Sequence, residues 1–480
     1  MIDQKSLIKL NEYLWEIPQS TRPDMRVPAH IYALEEMLAD LFNDRSLDQL
    51  MNVATLPGIQ KAAIVMPDVH EGYGFPIGGV CATRYPDGVI SPGGIGYDIN
   101  CGVRLLLSDI TFNDIESHLP ELTSELYRYI PSGIGRGGSI KLNIKEIEKV
   151  LTRGAHWAVQ NGYGDADDLE FIESNGVLPS ADSNVVSTEA KQRGHDQLGT
   201  IGAGNHFVEV DRVDEIFDEE IARSFGLYRE QTVILIHTGS RGMGHQVATD
   251  YLRLFQRIMP KYDLHPPDRE LACAPFNSRE GQQYFSAMAA AANYAWCNRE
   301  VITWEVRQAW KNIFGKTPTP RLLYDVAHNM AKLETHVLNG KSHKLIVHRK
   351  GATRAFGPGS SEIPDSYQKT GQPVLIPGSM GTASYVLSGT TKSMELTFGS
   401  TCHGAGRQMS RTAAKKIVDA PKLQRELLEQ GIHVQARSYR GIAEEAPIAY
   451  KNIDLVVKTV SRAGIARKVA RLRPLSVIKG

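Results

Sequence analysis

The sequence lacks several features that would assign it to a narrow class at once. Its 54 Lys and Arg residues equal its 54 Asp and Glu residues, so the formal net charge is zero and no global attraction to nucleic acid or to an anionic membrane is expected. No apolar run approaches the roughly eighteen residues that a membrane helix needs, and the N-terminus shows no apolar signal-peptide region. These absences predict a cytoplasmic protein in which any polyanion site is a local patch.

Cysteine is also scarce. The five Cys residues are odd in number and scattered, which argues against a disulfide framework and predicts reduced thiols. We expect Cys81, Cys273 and Cys297 to be core residues, because free cysteine is most often a small buried hydrophobe. Cys101 and Cys402 stand in glycine-rich runs, so they need a separate explanation.

The common nucleotide and metal motifs are missing. There is no G-x-x-x-x-G-K-[ST], no K-x-D-G, no C-x-x-C and no H-E-x-x-H. The run GIGRGG at 133–138 satisfies G-x-G-x-x-G, but it follows IPS rather than a clear strand and precedes SIKLN rather than a helix start, so it is interpreted as a loop. Any nucleotide or metal is therefore bound by an uncommon arrangement.

What is present indicates one globular α+β domain over residues 1–480, since apolar content of 42% with 22% charge is ordinary and no Pro/Ser-rich linker divides the chain. The apolar spacing predicts an amphipathic helix over 30–50, within an N-terminal helical part at 1–60. One long helix or two shorter helices are predicted across 278–314, and the acidic segment within 160–187 is predicted to be a surface excursion. Strands are predicted in the runs KAAIVMPDVH, TVILIHTGSRG, KLIVHRKG and PVLIPGSMG.

Four glycine-flanked segments carry side chains that bind metals. They are SPGGIGYDINCGVR with Asp98 and Cys101, GAGNHFVEV with Asn205, His206 and Glu209, the strand TVILI ending at His237, and DVAHNM with His328. Glycine permits close approach of backbones, so four such loops predict convergence on one site. One carboxylate, one thiolate and three imidazoles suit two metal ions. Thiolate and imidazole favour zinc, whereas a carboxylate and phosphate substrates favour manganese or magnesium, so the metal stays open on composition.

The stretch STCHGAGRQMSR sets Cys402 beside His403. A histidine between glycines can present a ring nitrogen to phosphorus, while backbone N–H groups and Arg407 bind phosphate oxygens. Thiolates prefer carbon and soft metals to hard phosphorus, so His403 is favoured over Cys402 as a nucleophile for phosphoryl or nucleotidyl transfer.

Several long motifs resemble those of one family. GYDINCGVR, HDQLGTIGAGNHFVEV, IHTGSRGMG, the pair His328–Asn329, PGSMGTASYVL, CHGAGR and the terminal VIKG are similar, in order, to the RtcB family of GTP-dependent RNA ligases. The resemblance runs from about residue 66 to the last residue. It implies a single mixed-sheet domain with helices packed around it, two Mn²⁺ ions per chain and GTP as co-substrate.

The resemblance also implies a three-step reaction. His403 takes GMP from GTP, the guanylate passes to an RNA 3′-phosphate, which can come from a 2′,3′-cyclic phosphate, and a 5′-hydroxyl end then displaces GMP. The implied partners are RNA ends such as tRNA half-molecules, in tRNA splicing and RNA repair. Whether an archease activator is required stays open.

Residue roles follow from the same resemblance. Asp98, Cys101 and His206 are implied ligands of one manganese, and Cys101, His237 and His328 of the other. The implied GTP-contacting positions are Asn205, His206, Phe207, Val208, Glu209, His328, Asn329, Pro377, Gly378, Ser379, Met380, Ser384, His403, Gly404, Ala405, Gly406 and Lys479. Candidates for RNA or phosphate binding are Arg241, Lys350, Arg407 and Arg411, with Arg349, Arg354 and the run RKVARLRP as weaker ones.

Two alternatives of other classes remain at this stage. The first is a dinuclear-metal phosphohydrolase or nuclease in which His403 is a general acid, and the second is a non-enzymatic RNA-binding scaffold. A covalent adduct between His403 and GMP separates the ligase from both.

Overall fold

Mostly antiparallel strands form the framework of the computed structural model, which describes residues 4–133 and 135–480. In chain order the strands are β1 (Ile8–Lys9), β2 (Leu14–Ile17), β3 (Ala29–Tyr32), β4 (Ala63–His70), β5 (Ile77–Arg84), β6 (Val89–Ile90), β7 (Gly102–Thr111), β8 (Phe207–Ile216), β9 (Gln231–Thr238), β10 (Ala274–Pro275), β11 (Arg321–Ala327), β12 (Asn329–Leu338), β13 (Lys341–Lys350), β14 (Ala352–Arg354), β15 (Pro373–Ile376), β16 (Ser384–Gly389), β17 (Ser400–Cys402), β18 (His433–Ala436) and β19 (Ala466–Lys479). The four strands predicted from sequence correspond to β4, β9, β13 and β15, and each prediction is confirmed.

Helices pack around these strands, which confirms the predicted α+β class. In the described part of the chain they are α1 (Ser46–Val53), α2 (Phe112–Ile115), α3 (Leu119–Tyr129), α4 (Ile144–Arg153), α5 (Ala155–Gln160), α6 (Thr188–Gly194), α7 (Glu219–Phe225), α8 (Arg241–Ile258), α9 (Arg279–Phe314), α10 (Thr391–Thr397), α11 (Arg411–Ile417), α12 (Ala420–Glu429), α13 (Tyr439–Glu444) and α14 (Ile453–Ala463). Among the residues described, no helix has both the length and the apolar character needed to cross a membrane.

Two large sheets contain most of the strands, while β6 with β10 and β14 with β17 form two-stranded sheets. One has the order β1-β2-β3-β4-β5-β13-β12, and the other has the order β11-β7-β9-β8-β19-β16-β15 with β18 added beside β19. Neighbouring strands are antiparallel except in the pairs β3–β4 and β18–β19. The chain passes from the second sheet to the first between β11 and β12, where only His328 separates the two strands.

Antiparallel pairing explains how distant segments meet at one end of the second sheet. The start of β7 pairs with the end of β9, so Val103 lies opposite His237. The start of β8 also meets the end of β9, since Phe207 lies opposite His237, and the end of β11 meets the start of β7. Because neighbouring strands run in opposite directions, the starts of β7 and β8 lie beside the ends of β9 and β11 at the same end of the sheet. The end of β19 joins them because Lys479 lies opposite Phe207.

The long helix α9 supports this end of the sheet from behind. It is one continuous helix of 36 residues, so of the two predicted possibilities, one long helix or two shorter helices, the single long helix is correct. Its buried Arg299 donates to the backbone carbonyls of Asn100 and Thr238 at 2.8 and 2.9 Å and forms a bidentate ion pair with Asp325. A guanidinium with its donors distributed in this way fixes the loops that precede β7 and follow β9.

The predicted amphipathic helix over 30–50 is wrong. Residues 29–32 form β3, two short 3₁₀ helices follow at Glu35–Met37 and Ala39–Phe42, and only α1 is α-helical. The apolar residues that suggested the helix, including Ile31, Leu34 and Leu38, are buried as expected. Parallel pairing of β3 with β4 overrides the local helical spacing, because buried residues can show that spacing without a helix.

The acidic segment within 160–187 is only partly on the surface. Asp168 is buried in a bidentate ion pair with Arg307, and Glu173 is buried against Lys332 with an Oε1–Nζ distance of 2.5 Å. Ile172 forms a bridge to Asp325 of β11. The prediction of a surface excursion is therefore wrong for these acids, whose charges are neutralised inside the protein.

Candidate active site

A cavity of about 300 Å³ lies where the two large sheets meet. The volume is at the lower end of the range typical of small-molecule sites. Its walls contain most of the predicted site side chains, drawn from eight separate stretches of the sequence. The lining residues are His70, Tyr73, Ile77, Gly96, Tyr97, Asp98, Cys101, Asn205, His237, His328, Asn329, Lys350, Gly351, Pro377, Gly378, Ser379, His403, Gly404, Ala405, Gly406, Arg407, Arg411, Glu445, Tyr450 and Lys479.

One cluster of metal-type ligands consists of Cys101, His237 and His328, all buried. The Cys101 Sγ lies 3.3 Å from the His237 Nε2, which lies 3.4 Å from the His328 Nε2. Two donor atoms each bound at about 2.0–2.3 Å to one tetrahedral ion lie about 3.3–3.7 Å apart, so the spacing fits a shared cation. The His237 Nδ1 is buried without a hydrogen-bond partner among the described residues.

A second cluster shares the same thiol. Asp98, Cys101 and His206 place one ligand atom each within 4.8 Å of one another, with the His206 Nε2 2.8 Å from the Asp98 Oδ2 and 3.3 Å from the Cys101 Sγ. The other carboxylate oxygen of Asp98 accepts the Ser240 N–H at 3.0 Å. A side chain at Gly239 would collide with this carboxylate, which explains the glycine after β9.

The protonation states suit metal binding. Burial lowers the pKa of both His237 and His328 well below the ordinary value, so both rings are neutral and can donate a lone pair. Burial raises the pKa of Asp98, but His206 and hydrogen bonding outweigh it and hold that pKa at about 2. Burial, followed by the charge of Asp98, raises the pKa of Cys101, so a bound cation would displace the thiol proton. Each cluster could hold one divalent cation, and the Cys101 sulfur belongs to both ligand sets.

The His403 ring lies against the first cluster, with its centroid 4.8 Å from that of His328. The buried Asp68 carboxylate, at the end of β4, holds it through one oxygen, which accepts the His403 Nδ1–H at 2.6 Å and the His403 backbone N–H at 3.0 Å. A donor at Nδ1 leaves the lone pair on Nε2, so the ring is oriented as a nucleophile. Gly406 lets the loop pass close to Asp68, since its φ is +74° and a Cβ there would collide with the Asp68 carbonyl oxygen.

The sequence analysis did not single out Asp68. Its signal was present, because the run KAAIVMPDVH was predicted as a strand that delivers polar side chains at its end. Nothing in the sequence connects it with His403, which is 335 positions away.

If His403 is the nucleophile toward GTP that the family resemblance implies, Asp68→Asn should slow its labelling by GTP about a hundredfold or more. An asparagine amide can donate to Nδ1, which favours the tautomer that carries its proton on Nε2 and has no lone pair there for attack. Single-turnover labelling with α-labelled GTP, alongside metal content as a control for folding, measures the effect. An unchanged labelling rate at unchanged metal content would rule out this orienting role.

Cys402 is separated from this chemistry. It is fully buried in β17, which pairs with β14 through Ala352 opposite Cys402, and burial raises the pKa of its thiol well above the ordinary value. The structure brings His403 into the cavity and places Cys402 in the core behind it.

The residues around β8 divide between two faces of the sheet. Phe207 packs in a smaller apolar cluster on one face, with the Lys479 Nζ 5.4 Å from its ring centroid, whereas Val208 is buried in the main core on the other face. The side chain of Val208 is therefore not part of the cavity. Glu209 is buried, and its Oε1 has no hydrogen-bond partner in the described part of the chain.

The charge state of Glu209 depends on its neighbours. Burial, with repulsion from Asp211, raises the pKa of Glu209 well above its ordinary value, and the Lys479 charge acts in the opposite direction. Burial lowers the pKa of Lys479 to about 8, against the attraction of Glu445 and Glu209. A ligand that donates hydrogen bonds to Glu209 would favour its ionised form.

The turn between β15 and β16 forms another wall. Pro377, Gly378 and Ser379 line the cavity, and the Gly378 N–H donates to the Ser384 Oγ at 3.0 Å. Met380 is buried in the smaller apolar cluster, so it shapes the turn from behind. On the opposite wall Asn329 braces the metal-ligand loop, because its Nδ2 donates to the Asp98 carbonyl and its Oδ1 accepts the Gly351 N–H.

The predicted basic residues differ in how many of their nitrogen atoms remain available to bind a phosphate. The Arg411 Nε donates to the Glu445 Oε1 at 2.7 Å, and no hydrogen bond to its two Nη atoms is found within the described residues. All three nitrogens of Arg407 are engaged, by Glu445, Tyr450 and the backbone carbonyls of residues 409 and 444. Arg411 is therefore the better phosphate ligand, and Arg407 holds the loop.

Lys350 and Arg241 lie on other sides of the site. Lys350 lines the cavity, donates to the Tyr73 and Phe75 carbonyls, and has a pKa lowered to about 7 by burial. Arg241 begins α8, donates to the Thr200 Oγ1 at 3.1 Å and interacts electrostatically with Asp98 without lining the cavity.

Two weaker RNA candidates are corrected. Arg349 is buried in a bidentate ion pair with Glu334, and Arg354 is buried with Glu173 and Glu362 as its partners. Both guanidiniums are enclosed because they neutralise internal acids, so they are not available to RNA.

Fold and site together define an α+β protein in which two overlapping clusters of side chains that can hold a metal lie beside a histidine held by a carboxylate. The sequence model of the tRNA-splicing ligase RtcB family matches residues 49–480. Among similar proteins are the tRNA-splicing ligases RtcB of Archaeoglobus fulgidus, 53% identical over 99% of both chains, of Thermococcus kodakarensis, 53% identical over 100% of both, and of Pyrobaculum aerophilum, 53% identical over 98% of this chain and 99% of the relative. The chain belongs to the tRNA-splicing ligase RtcB family.

Proposed function

We propose that the protein is a GTP-dependent RNA ligase of tRNA splicing and RNA repair that joins a 3′-phosphate or 2′,3′-cyclic phosphate end to a 5′-hydroxyl end. The observation that carries the proposal is the Asp68–His403 pair beside the two ligand clusters, since Asp68 accepts the Nδ1–H of His403 and leaves Nε2 as the ring nitrogen that can attack a ligand in the cavity. The names of the relatives support RNA joining, and we expect the reaction to occur in the cytoplasm.

In the first step the His403 Nε2 attacks the α-phosphorus of GTP, a P–N bond forms and pyrophosphate leaves. Asp68 holds the Nδ1 proton and stabilises the positive charge that develops on the ring. The N–H groups of the 403–406 loop and the guanidinium of Arg411 bind phosphate oxygens.

In the later steps the guanylate passes from His403 to the RNA 3′-phosphate, and the P–N bond breaks. The 5′-hydroxyl of the second strand then attacks the activated phosphorus, a phosphodiester forms and GMP leaves. Two divalent ions, proposed as Mn²⁺ and held by Asp98, Cys101 and His206 and by Cys101, His237 and His328, would supply charge neutralisation and activation of the attacking oxygen.

Glu209 is the proposed guanine reader. Guanine presents N1–H and an amino group on one edge, and a carboxylate can accept from both, whereas adenine has no such pair of donors. The unpartnered buried Oε1 of Glu209 supports this role, because a buried acceptor without a partner costs stability unless a ligand satisfies it.

Glu209→Ala should reduce the preference for GTP over ATP in the labelling reaction by about ten- to a hundredfold. Competition between the two α-labelled nucleotides measures that preference. Glu305→Ala is the matched control, because Glu305 is another buried carboxylate with an unpartnered oxygen but lies in α9, whereas Glu209 lies in β8 and interacts with Lys479, which lines the cavity. If ATP stays excluded in Glu209→Ala, the assignment is wrong.

The activity itself is tested by incubating a 3′-phosphate strand and a 5′-hydroxyl strand with GTP and Mn²⁺. The joined product is expected only with both strands and GTP. Cleavage of a phosphodiester without GTP would favour the nuclease alternative, and RNA binding with neither reaction would favour the scaffold.

A further inference from the structure

Three rings stand at the rim of the cavity beside the metal-ligand clusters. Tyr97, immediately before Asp98, stacks on His245 with ring centroids 4.8 Å apart and planes at 23°, and Tyr73 meets Tyr97 edge to face at 5.5 Å. Tyr73 and Tyr97 line the cavity, whereas His245 is exposed. We call these three residues the aromatic rim.

The aromatic rim is held in place from below. The Lys350 Nζ donates to the Tyr73 carbonyl oxygen, and the Tyr73 hydroxyl lies 3.4 Å from the Gln256 Nε2 of α8. The ring of His245 makes no hydrogen bond among the described residues, so its main contact is the face of Tyr97. An exposed ring stacked on a fixed one presents a flat apolar surface to solvent.

Basic side chains flank this surface. His245 and Arg253 are eight positions apart on α8, so they share one face of the helix, and Arg253 acts electrostatically on Tyr97. Arg193 acts in the same way on His245. Asp98, Asp268 and Glu270 are the acids that face these rings, and the Glu270 carboxylate accepts the Gly74 N–H. No ion pair of Arg253 is found in the described part of the chain.

Single-stranded nucleic acid binds to rings that can stack on bases and to nearby guanidiniums, because every base has a π-face and every linkage carries a negative charge. We propose that the aromatic rim stacks the base of a nucleotide at an RNA end while Arg253 binds a flanking phosphate. The inference rests on the proposed function for the identity of the ligand. It assigns Tyr73, Tyr97 and His245 as positioning residues for RNA and gives them no role toward GTP.

The test uses RNA strands with 2-aminopurine as the terminal base, either at the 3′-phosphate end or at the 5′-hydroxyl end. Stacking quenches this fluorophore, so the wild type should quench at least one strand, and the two arms show which end is held. His245→Ala should weaken binding of that strand about tenfold. His245→Phe should restore the binding, because stacking requires an aromatic ring but not the imidazole nitrogens.

Phe217→Ala is the matched control. Phe217 is also a partly exposed ring stacked on an aromatic, Tyr385, with the Lys468 Nζ 4.4 Å from its centroid, but it lies outside the cavity. Its loss should leave RNA binding unchanged. Arg253→Ala should reduce the slope of log K against log salt by about one.

The outcomes separate this inference from the proposed function. Labelling by GTP without RNA measures the proposed function, and His245→Ala should retain it. Absence of quenching with both strands, or loss of affinity in His245→Ala that Phe does not restore, would overturn the inference even when the protein is guanylylated. Quenching in a wild type that cannot be guanylylated would support the aromatic rim and reject the ligase.

Discussion

His403→Ala should reduce covalent labelling by α-labelled GTP by more than about a thousandfold, whereas Cys402→Ser should keep most of it. The two residues are adjacent in sequence, but only His403 lines the cavity, where Asp68 leaves its Nε2 free to attack. Cys402 is enclosed in β17 and its thiol pKa is raised by burial, so no thiolate is available for phosphorus. Labelling after denaturation and removal of free nucleotide measures the difference.

Metal content and thermal unfolding serve as controls for this pair. His403→Ala should retain both ions, because His403 is not a member of either ligand cluster. Label that persists in His403→Ala would mean that another residue is the nucleophile. Loss of label in Cys402→Ser with intact folding would mean that the Cys402 thiol takes part in the reaction.

Cys101→Ala should lower bound manganese from the proposed two ions per chain to less than about one. Its sulfur is the single atom common to both ligand clusters, so its removal takes one of three protein ligands from each ion. His206→Ala and His328→Ala should each weaken one ion selectively. Elemental analysis after equilibrium dialysis at several manganese concentrations gives the stoichiometry.

Cys297→Ala is the matched control for the loss of a buried thiol. Cys297 is a fully buried free cysteine in α9, away from the ligand clusters, so its loss should leave the metal content at two. If Cys101→Ala binds two ions as tightly as the wild type, the proposal that one sulfur bridges them is wrong.

The convergence of the ligand clusters could be predicted because glycine-flanked loops with Asp98, Cys101, His206, His237 and His328 are visible in the sequence. The structure brings these side chains together as predicted. The partner of His403 could not be predicted in the same way. Asp68 lies on a different sheet and 335 positions away, and only the approach of the 403–406 loop to β4 creates the contact.

Predictions failed where tertiary contacts override a local pattern. The apolar spacing over 30–50 reflects burial, but pairing of β3 with β4 determines the backbone. The role of each arginine was equally ambiguous, because the sequence does not distinguish a buried arginine such as Arg349 from one that faces the cavity, such as Arg411. One neutralises Glu334 inside the protein, and the other keeps nitrogen donors at the cavity.

The aromatic rim was absent from the sequence analysis for a related reason. Tyr73, Tyr97 and His245 come from three segments, and although Tyr97 lies in the run GYDINCGVR, no sequence pattern links the three rings. Only the structure, in which Tyr97 stacks on His245 next to Asp98, shows that they form one surface.

The most direct test of the central claim is the chemistry of the bond formed between the wild-type protein and GTP. The protein is incubated with Mn²⁺ and α-labelled GTP, denatured, and exposed to acid or alkali before the labelled peptide is mapped. The account predicts label on His403 that survives alkali and is lost in acid, as a P–N bond requires. Absence of label, or label that survives acid or maps to another residue, would contradict it.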